Sequence, residues 1–109
     1  MKLPADLEIA PEKLTRYLLV NLPRNDKSKF LARAGYGQSN WGVLLADLRR
    51  LAADADAEHV ETNKFGDFYS VRASITGPNG VSLRVNTVWM TEHLSGITKF
   101  ITLIPDETP

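Results

Sequence analysis

The chain has 109 residues, 43% apolar and 24% charged, with thirteen basic and thirteen acidic side chains and no cysteine. This is the composition of one ordinary globular domain rather than of a disordered or membrane-embedded chain. The zero net charge excludes a global field drawing it to nucleic acid or lipid, and the lack of cysteine excludes disulfides, thiolate nucleophiles and cysteine metal sites.

Residues 1–10 read as a lead-in, with Leu3, Leu7 and Ile9 able to pin it to the body. Pro11 suits the first turn of a helix because its missing N–H needs no partner there, and Glu12 suits the positive end of the dipole. Leu14, Tyr17 and Leu18 recur at helical spacing, so a first helix is expected to about Val20, ended by Asn21-Leu22-Pro23. Asp26 is placed to cap a short second helix with a buried stripe of Phe30, Leu31 and Ala34, and Gly35 supplies the stop. Lys27, Lys29 and Arg33 cannot share that stripe and are expected outside. Ser39 or Asn40 is the expected cap of a third helix with Trp41, Leu44, Leu45, Leu48 and Leu51 buried, fraying from Ala52 to Ala57.

From residue 58 the pattern changes to alternating β-branched and aromatic residues, expected as strands over 60–64, 68–75, 81–90 and 97–104. Phe65-Gly66-Asp67 and Gly77-Pro78-Asn79-Gly80 read as hairpin turns, and Pro105 as the end of the last strand. The expectation is one α+β domain over 1–109. A helical half (11–55) packs on one face of a four-stranded antiparallel sheet (58–105). Alternation puts Tyr69, Val71, Ala73 and Ile75, with Leu83, Val85, Thr87 and Trp89, on the core face, and Arg72 and Arg84, joined by Lys99, on the other. Trp41 and Trp89 read as core anchors.

Charge is distributed unevenly. Lys13 to Arg33 holds six basic residues against Asp26 alone, net +5, whereas Asp47 to Glu61 is net −3. Two lysines in the first turn of the second helix oppose its dipole, a small cost that an anion would offset. An exposed sheet face carrying cations and hydroxyls can hold phosphates, although it also describes the ordinary wet side of a one-sided sheet. His59 and His93 have no Ser, Asp or second His at a spacing that suggests a triad or metal site, and both read as surface residues. No metal or cofactor is expected. With no apolar run long enough for a signal peptide or a membrane span, a cytoplasmic protein is expected.

Several segments resemble a family of small uncharacterised bacterial domains found alone and at the ends of large toxins. They are Pro11 to Leu19 (PEKLTRYLL), Pro23, Ser28-Lys29-Phe30, Tyr69-Ser70-Val71, Pro78-Asn79-Gly80 and Thr87-Val88-Trp89. The helices-then-sheet order is similar to the ribonuclease fold of barnase-like, colicin-like and RelE-like toxins. The chain departs from the family pattern at Asn86, where relatives carry Arg, and at Ile104, where they carry Tyr. The resemblance implies a toxin-type domain that binds RNA or cleaves it without histidine. Lys27, Lys29, Arg33 and Lys99 are then the candidate RNA contacts, Arg72 and Arg84 the charge stabilisers, and Tyr69 or Thr87 the catalytic hydroxyl if the strand register exposes one. The competing reading is a non-enzymatic module whose basic segment meets a small acidic partner, such as a cognate antitoxin-like protein.

Overall fold

The computed structural model describes residues 1–106. Its fold is α+β: short helices precede a four-stranded antiparallel meander in the order β1-β2-β3-β4. The strands are β1 (Glu58–Thr62), β2 (Gly66–Thr76), β3 (Ser82–Glu92) and β4 (Thr98–Pro105). The lead-in pairs beside β4, with Glu8 N–H on the Thr98 carbonyl at 2.8 Å and Phe100 N–H on the Glu8 carbonyl at 2.9 Å. Leu3, Leu7 and Ile9 are buried, as their apolar character requires.

The first helix is not a plain α-helix. α1 (Pro11–Lys13) is one turn and runs into a π-helical turn, Leu14–Leu18, closed by Leu19 N–H on the Leu14 carbonyl at 2.9 Å. Leu14 and Leu18 are both fully buried. Side-chain periodicity announces that face but cannot distinguish an i→i+5 bond from an i→i+4 bond. α2 is Ser28–Ala32, and Gly35 (φ 91°) ends it with Tyr36 N–H on the Leu31 carbonyl at 3.2 Å.

A 3₁₀ turn, Gln38–Asn40, leads into α3, Trp41–Asp54. Asn40 does not cap α3. Its side chain turns back, accepting from Gly37 N–H at 2.8 Å and donating to the Gly35 carbonyl at 3.0 Å. α3 stays helical through Asp54 because Leu51 and Ala52 are still buried there. Trp41 is a correction: in phase with Leu44 and Leu48 but at the helix's first position, it stays 36% exposed.

The sheet faces follow the expected alternation. Val71, Ile75, Leu83, Val85, Thr87, Trp89, Phe100 and Leu103 lie under the helices in one core with Leu14, Leu18, Leu31, Leu44 and Leu48. Trp89 is fully buried, edge-on to Phe100 (ring centroids 5.2 Å apart). Its Nε1–H donates to Thr87 Oγ1 at 2.8 Å, and that hydroxyl donates to the Val71 carbonyl at 2.9 Å. β4 slips by one residue at Ile101, between the pairs Val88–Thr102 and Trp89–Phe100.

The β2–β3 turn docks on the end of α2. Asn79 Nδ2 donates to the Arg33 carbonyl at 3.1 Å, and a Cβ on Gly77 would lie 1.9 Å from the Ala34 carbonyl oxygen. Gly77→Ala must therefore separate turn from helix, and urea unfolding should show a loss of about 1–3 kcal/mol. Gly42→Ala, with nothing within 4 Å of the new methyl, should instead gain about 0.5–1 kcal/mol. Equal effects at the two glycines would contradict the docking.

Candidate functional site

Asp26, the sole acid of the basic segment, organises it. Its Oδ1 accepts from Leu22 N–H at 2.9 Å and Ser28 Oγ–H at 2.8 Å, and its Oδ2 from Lys29 N–H at 3.2 Å. These bonds, the Leu22 N–H first, hold its carboxyl below the usual range. The loop so formed sends Lys27 back toward the π-helical turn rather than out into solvent. Lys27 Nζ donates to the Tyr17 hydroxyl at 2.8 Å and lies 5.0 Å from the ring centroid. The same hydroxyl is 3.0 Å from Thr102 Oγ1 on β4. The Lys27 hydrogen bond foremost, then that of Thr102 and the charges of Lys27 and Lys13, lower the ionisation of Tyr17 against the opposing effect of burial.

Beside this trio, along the β4 edge, a groove of about 430 Å³ is lined by Lys13, Arg49 and Lys99, with Glu8 as its one acid and Ile9, Phe100 and Ile101 among its apolar residues. Arg49 is partly engaged, donating to the Leu7 carbonyl at 3.1 Å, and Lys99 Nζ lies 3.0 Å from Glu92 Oε1. The edge is thus positive, partly apolar and open, and the charge of Lys13, one of its lining residues, reaches the Tyr17 phenol.

The eight residues singled out from the sequence fall into separate groups. Arg72, Arg84 and Lys99 share the outer sheet face through the pairs Arg72–Asn86, Ser74–Arg84 and Met90–Lys99. Arg84 lies 3.7 Å from Asp106 Oδ2. Asn86 and Ile104, the positions of departure from the resembled pattern, pair in the same row as Arg72. Lys27 reaches the β4 edge of this face through Tyr17 and Thr102, the next row along. From the spacing of strands and residues, Thr102 is about 12 Å from Arg72.

Lys29 and Arg33 do not join them. They project from α2, which buries Leu31 on the other side of the sheet, and Arg33 lies over Phe30 at 5.6 Å. Thr87 is fully buried and spent on Trp89 and Val71, so the register withholds that hydroxyl from solvent. Tyr69 is half-buried on the core face, with its ring edge-on to His59 at 5.5 Å.

The two histidines, read from spacing as isolated, meet at one carboxylate. His59 Nε2 and His93 Nε2 lie 3.8 and 3.5 Å from Asp67 Oδ1. Thr62 Oγ1 donates to that oxygen at 2.7 Å and lies 2.7 Å from His59 Nε2. The Thr62 bond first, then His93, holds Asp67 below the usual carboxylate range. Strand pairing and the His93 N–H bond to the Phe65 carbonyl assemble the cluster from three chain segments, which no local motif could signal. Among the described residues no group of three or more His, Asp or Glu side chains is arranged to hold a metal ion, and no helix is long and apolar enough to cross a membrane.

Sequence reasoning also missed Tyr17, Thr102, Lys13 and Arg49. Tyr17 reads from periodicity as a core residue, which its ring partly is, and nothing in the local text reveals where its hydroxyl points.

The chain belongs to the family described as a domain of unknown function, DUF6883, whose pattern matches residues 3–107. No curated protein matches it. Among solved structures it is similar to a chain of a contact-dependent growth inhibition toxin–immunity protein complex from Klebsiella pneumoniae 342. The TM-score is 0.72 at 20% identity, covering 95% of this chain and 97% of that one. At that identity the likeness is one of fold.

Proposed function

We propose that this chain is a toxin-type domain that binds RNA along the β4 edge and cleaves its backbone. One observation carries the reading: the Lys27 ammonium is 2.8 Å from the Tyr17 hydroxyl, and Lys13, whose charge also acts on that phenol, lines a groove with Arg49 and Lys99. Cations in a partly apolar groove suit a single strand, whose phosphates need charge and whose bases need apolar surface. The fold shared with a chain of a toxin–immunity complex supports membership of a toxin system. RNA leaving the groove across the outer sheet face meets Arg72 and Arg84.

The test is the salt dependence of binding to a short single-stranded RNA. With four phosphate contacts, log affinity should fall with log salt at a slope of about −3, since each contact on a single strand contributes roughly −0.7. Lys29→Glu with Arg33→Glu should leave that slope unchanged, because neither residue lines the groove. A flat slope, or no binding at low salt, overturns the proposal.

A second reading concerns those two residues. Exposed on α2 and outside the groove, Lys29 and Arg33 are free to meet an acidic cognate partner, and the complex that contains the structural neighbour favours a partner of that kind. Loss of partner binding in the same double variant, with RNA binding intact, is the result that supports it.

A further inference from the structure

We propose that Tyr17 and Lys27 are the proton-transfer pair of RNA cleavage, Tyr17 as the base that activates the ribose 2′-hydroxyl and Lys27 as the acid that protonates the leaving oxygen. The inference rests on the RNA reading above and adds the chemistry to it.

Metal-free cleavage of RNA needs two groups, one to accept a proton from the 2′-hydroxyl and one to supply a proton to the departing 5′-oxygen. Of the three tyrosines, Tyr36 is buried and donates to Asp47 Oδ2 at 2.6 Å; burial first, then that carboxylate, raises its ionisation far above the ordinary range. Tyr69 rests against His59. Tyr17 alone has its oxygen against an ammonium, with Thr102 as second partner, and the shift of its ionisation is downward. A lysine stabilises the phenolate by charge and by hydrogen bond together, which favours the phenol as a base.

The step balances without a co-reactant. Tyr17 Oη takes the 2′-hydroxyl proton as the 2′-oxygen bonds to phosphorus. The bond from phosphorus to the 5′-oxygen breaks, and Lys27 Nζ gives that oxygen its proton. The products are a 2′,3′-cyclic phosphate and a 5′-hydroxyl. Tyr17 is then protonated and Lys27 neutral, and because the two atoms are 2.8 Å apart one proton crossing that hydrogen bond restores the starting pair. Lys13 and Lys99, which line the adjacent groove, are placed to balance the charge on phosphate.

The experiment compares the full chain with Tyr17→Phe on total bacterial RNA, scoring new 5′-hydroxyl ends, and measures binding to a short single-stranded RNA in parallel. Phenylalanine keeps the ring that packs on the core, so the variant should fold, which circular dichroism checks. The expected result is a 10²–10⁴-fold slower cleavage with binding within about threefold of the parent. The parent's rate should rise tenfold per pH unit up to a break below pH 10, the ordinary phenol value, and the variant should lose that rise. Cleavage by Tyr17→Phe within a few-fold of the parent overturns the inference, as does loss of cleavage in His93→Ala alone. A parent that binds RNA and does not cut it overturns the inference and leaves the binding proposal standing. A parent that does neither removes both.

Discussion

Replacing Lys27 by methionine should move the ionisation of Tyr17 upward, toward the ordinary phenol value of 10, and slow RNA cleavage by about 10²–10⁴-fold. Lys27 is the largest influence lowering Tyr17, through a 2.8 Å hydrogen bond and then through its charge. Burial acts in the opposite direction, and once the ammonium is gone the Thr102 hydrogen bond and the charge of Lys13 still oppose it, so the shift is upward but partial. The Cζ resonance of ring-labelled Tyr17 reads this titration without any RNA present. The same variant should lose one phosphate contact, making the salt slope shallower by about 0.7. An unchanged Tyr17 titration means the Nζ–Oη contact is absent in solution, and the proposed pair falls with it.

Trp89→Ala should cost about 3–5 kcal/mol in urea unfolding. The indole is wholly buried under the helices, rests edge-on against Phe100 at 5.2 Å, and donates to Thr87. Truncation empties the largest side chain from the core and leaves little space for neighbours to collapse into, since Val71, Val85 and Leu103 are themselves fully enclosed. Domain stabilities are of order 5–15 kcal/mol, so this loss takes a large share of the total. The same truncation at Trp41, partly exposed at the start of α3, should cost much less. A Trp89→Ala loss below about 1 kcal/mol is incompatible with the packing described.

The sheet was the most legible part of the molecule. Period-two alternation placed Val71, Val85 and Trp89 inside and Arg72 and Arg84 outside, because neighbouring side chains on a strand must take opposite faces. Glycine signals marked both turns, but for Gly66 and Gly77 the reason lies elsewhere. A Cβ on Gly66 would sit 2.3 Å from the Thr91 carbonyl oxygen and one on Gly77 against Ala34, each contact made with a distant part of the chain. The helical half was less legible. Asp26 was identified as the acceptor of a first-turn N–H of α2, one residue ahead of the N-cap Lys27, whereas the π-helical turn, the back-turned Asn40 side chain and the exposure of Trp41 all depend on what packs beside them.

Taken alone, the amino-acid order determines the element sequence, the two sheet faces, the basic stretch from Lys13 to Arg33 and the lack of any cysteine chemistry. These are properties of neighbouring residues, governed by side-chain period and backbone preference. Tertiary structure decided which groups meet. It placed Lys27 on Tyr17 and Tyr17 on Thr102, gathered His59 and His93 around Asp67, enclosed Thr87, and turned Lys29 and Arg33 away from Arg72 and Arg84. Each of these outcomes turns on a separation of a few ångströms between residues far apart along the chain, and such distances are set by the packing of whole elements rather than by any local pattern.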